Sequence, residues 1–162
     1  MILRQSFKNH FIVFEFTLSM TLILFGAWWY FNYDPSILLI GGLFHLLFTI
    51  PALYMHIEYS IRNVGEEIEI NYNEIIVRKN GEERKYPISE LSKVIVYKPA
   101  SLDKGGVPFS AMEYYRYARI ITNSGEEIII TCFMTLDIEG AVKQLSGITY
   151  ERKNRIAFLF WK

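Results

Sequence analysis

The sequence predicts an α+β membrane protein: a two-helix transmembrane hairpin, then antiparallel strands that close on a C-terminal helix. Three observations predict it. Two apolar runs, residues 11–31 and 37–57, each hold about 20 residues, the length a helix needs to cross a hydrocarbon layer roughly 30 Å thick. Only Asn32, Tyr33, Asp34, Pro35 and Ser36 separate them. Beyond Glu58 charges become frequent and apolar residues alternate with polar ones, the period of a half-buried strand.

The first run competes with a cleaved signal peptide, because Arg4 and Lys8 precede it as a charged flank would. Its apolar part is too long, and it ends in Trp28, Trp29, Tyr30 and Phe31, an interfacial aromatic girdle with no small-residue cleavage site. Basic residues set the orientation. Arg4 and Lys8 lie before the first helix and Arg62 after the second, while the turn carries only Asp34, so both termini are expected in the cytoplasm and the hairpin in the inner membrane. Glu15 and His45 are ionisable residues within the spans. At 1.5 Å per residue they lie about 6 Å and about 18 Å deep, too far apart to pair; Glu15 is expected to snorkel, and His45 to stay neutral on a carbonyl or hydroxyl. Gly41 and Gly42, with Gly26 and Ala27, are small enough for close helix packing, and Pro51 is expected to kink the second helix.

The chain divides into a hairpin over 1–58, a cytoplasmic domain over 59–147 and a C-terminal extension over 148–162. No linker separates the first two, so the domain is held against the bilayer. Strands are predicted at 67–71 and 74–79, and Asn80-Gly81 makes a tight type I′ turn into 83–86. A strand follows at 93–98, then a loop over 100–111 and a hairpin of 114–122 with 127–133. Residues 135–145 read as a helix, with Thr135 able to cap it and Ile138, Ala141, Val142 and Leu145 on one stripe. The extension joins a basic run, Arg152, Lys153 and Arg155, to an apolar one. It either pairs as a last strand or lies in the membrane interface.

Charge and cysteine usage narrow the function. A formal net charge of +0 and a pI near 6.8 give no basic field for nucleic acid, so none is expected as a partner. The single Cys132 cannot form an internal disulfide and reads as a buried, inert thiol.

The stretch from Ile68 to Arg78, the Asn80-Gly81 turn and the segment from Arg84 to Val94 resemble bacterial membrane-anchored pleckstrin-homology-like (PH-like) proteins. These share two short strands, a basic-tyrosine approach and a proline-initiated turn into the next strand. The resemblance implies a small, strongly bent antiparallel β-barrel or sheet capped by the C-terminal helix, used for binding and carrying no catalytic residues.

No constellation of residues points to catalysis. His10, His45 and His56 all precede the domain, Cys132 has no histidine partner within it, and no cluster has metal-ligand spacing, so no catalytic residue, metal or cofactor is expected. Candidate lipid-headgroup contacts are Arg78, Lys79, Arg84 and Lys85 in the basic hairpin, where Glu82 and Glu83 offset the field, and Arg152, Lys153 and Arg155 in the extension. Candidate partner-surface residues are Val107, Pro108 and Phe109 in the long loop, with Tyr114 and Tyr115; folding back to cover the sheet is the alternative for that loop. The expected function is a non-enzymatic scaffold that binds membrane lipid and a protein partner, with self-association an open alternative. The other reading is a subunit or immunity-type inhibitor that acts through Gly41, Gly42 and the hairpin itself.

Overall fold

The structure is a computed structural model and describes residues 1–103, 110–145 and 147–159. Two long helices, α1 (Phe7–Tyr30) and α2 (Ile37–Arg62), are joined by a turn that holds Asn32 and Tyr33 at φ 53° and 62°. Both run further toward the domain than the apolar windows 11–31 and 37–57, because their domain-side turns find protein to pack on. α2 opens with a π-helical turn over Ile37–Gly41 and continues through Pro51.

The first sheet has the order β1 (Ile2–Arg4), β2 (Glu66–Ile70), β3 (Glu74–Lys79), β4 (Glu82–Pro87), antiparallel throughout. β1 carries no signal in the sequence: three residues show no periodicity, and Arg4 reads there only as a flanking charge. It is fixed by its ladder to β2, by the terminal ammonium donating to the Ile70 carbonyl at 2.7 Å, and by an Arg4–Glu67 ion pair. Asn80 and Gly81 adopt φ 53° and 85°, as a two-residue type I′ turn requires.

The second sheet runs β7 (Glu127–Thr131), β6 (Tyr117–Thr122), β5 (Leu91–Lys98), β8 (Thr149–Asn154). β8 lies parallel to β5, so this sheet is mixed, and the two ladders are open sheets instead of one closed antiparallel barrel. Residues 149–154 of the extension are thus a strand. The expected strand at 114–122 starts later because Ala111–Tyr114 is a 3-10 turn. The expected helix 135–145 is shorter, α4 (Ile138–Val142), following a four-residue α3 (Ala100–Asp103). Asp137 caps α4 in place of Thr135, accepting from the Gly140 amide at 2.9 Å, while Thr135 Oγ1 accepts from the Asp137 amide. A Cβ at Gly140 would collide with that carboxylate, so cap and glycine go together.

One hydrophobic core unites the elements. Leu3, Val13, Ala52, Met55 and Tyr59 pack in the same cluster as Ile68 and Ile75 of the first sheet, Val96, Tyr117 and Ile130 of the second, and Val142 of α4. The core therefore crosses residue 58, and the domain-side ends of both helices are structural parts of the domain.

Candidate functional site

The junction between hairpin and sheets brings polar and aromatic side chains of both long helices together with those of the sheets. α1 presents Asn9 and His10 there, α2 presents His56 and Tyr59, and Asn63 follows just past its end. Asn9 Nδ2 donates to the Phe133 carbonyl at 3.1 Å, and the His10 ring stacks on Phe133 with centroids 3.8 Å apart. His10 Nδ1 meets His56 Nε2 at 3.3 Å, and His56 Nδ1 meets the Tyr115 hydroxyl at 3.1 Å. A neutral chain satisfies every contact: Tyr115 donates to His56 Nδ1, and His56 Nε2–H donates to His10 Nδ1. Tyr59, fully buried, donates to the Ala157 carbonyl at 2.5 Å, and Asn63 Nδ2 donates to the Ile129 carbonyl at 2.9 Å. The group locks the helices to the sheets. Sequence reasoning missed it by treating the histidines as outside the domain. Register held the signal: with Phe11 and Ile57 at one depth, His10 and His56 fall within about 3 Å of the same level.

Tyr115 was expected on a partner surface. It is fully buried instead, bonded to His56 and packed edge-on against Tyr59, and burial pushes its phenol upward from the usual value. Tyr114 is half-buried beside Phe16 of α1, 5.8 Å between centroids. Val107, Pro108 and Phe109 lie outside the described residues. Cys132 is buried, and burial pushes its thiol up to about 11, the inert state expected.

The basic hairpin is largely occupied by its own carboxylates. Arg78 bonds Glu83 at 2.8 Å and Glu69 and Glu67 at 2.9 Å; these hydrogen bonds hold all three carboxyls below the usual glutamate range. Lys85 pairs with Glu83 at 3.3 Å and Arg84 with Glu82 at 3.6 Å, while Lys79 faces Glu66 and Glu82 in the ladders. In the extension, Arg152 bonds Glu139 of α4 at 2.5 Å. Lys153 and Arg155 instead gather over the buried Tyr97 ring, at 5.9 and 4.6 Å, together with Arg119 at 5.6 Å, a cluster that joins β5, β6 and the chain beyond β8. Gly41 packs within the hairpin, where a Cβ would meet Leu24 Cδ1 at 2.7 Å, whereas Gly42 has nothing within 4 Å. His45 accepts or donates at mid-span with Thr21 Oγ1 (3.0 Å) and Thr49 Oγ1 (3.2 Å), the hydroxyl partners expected of it.

Between the outer strands of the two sheets, β4 and β7, a polar cleft of about 530 Å³ opens, lined by Arg62, Glu66, Lys79, Arg84, Tyr86 and Glu126. Tyr86 bridges its walls by donating to Glu126 at 3.0 Å. Both flanking strands are sheet edges; the outward backbone groups of β4 can pair with an added strand, whereas on β7 the Ile129 carbonyl already accepts from Asn63.

A family model described as a PH domain matches residues 2–137, a span that takes in both long helices, the first sheet and strands β5, β6 and β7 of the second. Among curated proteins and among solved structures no match was found.

Proposed function

The chain belongs to the PH domain family, whose members are generally non-catalytic modules that bind lipids or proteins, and we propose that it is a non-enzymatic integral membrane protein whose cytoplasmic domain scaffolds a membrane-associated partner. One observation carries this reading. The two long helices are apolar yet only 11% and 6% of their most apolar stretches is buried, the opposite of a soluble core helix, while their domain-side ends are built into the core. A hairpin with its exposed apolar face in lipid and its base fused to the sheets fixes the domain at the bilayer surface in one orientation. Arg4, Lys8 and Arg62 at that base, against Asp34 at the far turn, favour the cytoplasmic side.

The partner surface that fits this placement is the cleft between β4 and β7. Its charges of both signs suit an extended segment of mixed charge added to a sheet edge. The protein is expected to stay with membranes in alkaline carbonate, and alkaline phosphatase fused at the C-terminus is expected to be inactive. Release by carbonate, or an active fusion, overturns the topology. Photocrosslinkers at Lys79 and Arg84 are then expected to capture a discrete protein in intact membranes, and capture equally strong from Lys143, just past α4, would remove the cleft from the account.

A further inference from the structure

His10 and His56 face each other across the base of the helical hairpin. His10 Nδ1 lies 3.3 Å from His56 Nε2, and the two rings come from different long helices. Phe133, just past β7, packs on both, with centroids 3.8 Å from His10 and 4.7 Å from His56. The same residue ties α1 to the second sheet, because its carbonyl accepts from the Ser6 amide at 3.0 Å and from Asn9 Nδ2 at 3.1 Å. Hairpin and sheet are thus held together where the two imidazoles meet.

The titratable group that meets the pair is the Tyr115 hydroxyl, 3.1 Å from His56 Nδ1, with the buried Cys132 beside Phe133. Charged residues on the surrounding elements are Lys8 and Glu15 on α1, Glu58 and Arg62 on α2, Glu113 in the 3-10 turn and Arg116 after it. Among the described residues none of them bonds either ring. One added proton can be housed: His10 Nδ1–H donates to His56 Nε2, His56 Nδ1–H donates to the Tyr115 oxygen, and the Phe133 face supports the charge. A second cannot, since both facing nitrogens would carry N–H and two like charges would stand 3.3 Å apart with no carboxylate bonded to either. We propose that this pair is an acid-sensitive latch, which holds the helices to the second sheet with no proton or one and opens when both imidazoles are charged. The open state binds more protons than the closed one, so the latch is strongest above the ordinary histidine value of about 6.5 and weakens as pH falls below it. With two protons taken up when open and room for one when closed, the closed-to-open ratio should fall about thirtyfold by pH 5. Opening frees the domain from its one orientation on the hairpin, so acidification of the compartment that the domain faces becomes the signal.

The test uses the full-length protein in phosphatidylcholine nanodiscs and follows hydrogen exchange at the Ser6 amide, which bonds the Phe133 carbonyl across the junction. After correction for the intrinsic pH dependence of exchange, its protection is expected to fall about thirtyfold between pH 7.5 and pH 5, while the β6–β7 ladder stays protected. Glutamine keeps a donor and an acceptor but binds no proton, so His56→Gln should match the parent at pH 7.5 and lose less than about threefold by pH 5. Nitrogen NMR of the imidazoles in the parent reads the proton count directly, with one shared proton and an intact Ser6 bond expected near pH 6. Both rings charged with Ser6 still protected overturns the latch, whether or not the glutamine variant folds. So does a parent equally protected at the two pH values, or a fall undiminished in His56→Gln. A fall shared equally by the β6–β7 amides is unfolding of the whole domain and overturns it as well.

Discussion

The two ends of the helical hairpin are made of the same kinds of residue and live in different surroundings. Near the domain, Val13, Ala52, Met55 and Tyr59 are sealed in a protein core; near the turn, Leu22 is 72% and Ile40 71% exposed. Apolar composition is continuous along both helices, so what changes is the partner that removes each side chain from water. At the base it is sheet and loop, held by directional contacts among His10, His56, Tyr115 and Phe133. Toward the turn, on the reading proposed here, it is lipid, which asks only for apolarity. Substitutions should therefore be costly at the base and mild toward the turn.

Tyr59→Ala should show the largest effect. The ring is fully buried against Tyr115, Tyr117 and Phe133, and its hydroxyl bonds the Ala157 carbonyl. A loss of roughly 3–5 kcal/mol is expected from cavity formation at such a site. Leu43→Ala, at an exposed position, should change stability by less than about 0.5 kcal/mol. Denaturant titration in detergent micelles, followed by the sheet signal in circular dichroism, measures both. Equal losses would mean that the base is no more structural than the tip.

Asn63→Ala probes the same junction through hydrogen bonding. Asn63 sits just past α2, is fully buried, and donates to the Glu66 carboxylate and to the Ile129 carbonyl of β7. Leaving the Ile129 carbonyl without this donor should cost about 1–3 kcal/mol. Asn32, in the far turn, is exposed and held at φ 53°, so Asn32→Gly should be tolerated there. Thermal unfolding of the two variants side by side would show whether the contrast extends from packing to polar contacts.

The contrast also explains what could be read in advance. The hairpin, the strands around Asn80-Gly81 and the β6–β7 pair announce themselves through local patterns: run length, alternation, and a turn that needs positive φ. β1 and the shared core do not, because the three residues Ile2, Leu3 and Arg4 have no period and their partner strand begins 62 positions later. Tyr115 looked exposed because it follows a loop rich in glycine and aromatic residues, yet its hydroxyl has a histidine to bond only once α2 is docked beside it. The basic hairpin looked available for headgroups because composition cannot show that Arg78 reaches three glutamates on two neighbouring strands. Pairings across the sheet and between helix and sheet were hidden, whereas features of a single segment were visible.

Adjacent glycines sharpen the comparison within the distal half. Gly42→Ala adds a Cβ into open space in a helix interior and should stabilise by about 0.5–1 kcal/mol. Gly41→Ala should gain less, since its Cβ requires the Leu24 methyl to move. Thermal midpoints distinguish them. If Gly42→Ala instead weakened a dimer signal in membranes, the open face at Gly42 would be a contact between copies, and the distal half would have protein as well as lipid for a neighbour.

The smallest effect is expected at the domain surface, in the acid limb of stability. Hydrogen bonds from Arg78 hold Glu67, Glu69 and Glu83 below the ordinary glutamate value, so the unfolded chain takes up protons at these sites more readily than the folded one. Their contribution is complete above the unfolded value of about 4.3 and is lost as pH falls through the lowered folded values. Arg78→Ala removes the cause, so the variant should lose less stability than the parent between pH 5 and the acid limit, a window set by that ~4.3 reference. The loss at neutral pH should be small, because water and salt already screen these groups. Chemical denaturation across that pH range, at low and high salt, measures the difference. Parallel acid limbs for variant and parent would mean that the arginine orders the strand edge without lending it charge-dependent stability, and the acid sensitivity of the protein would then have to come from another part of the chain.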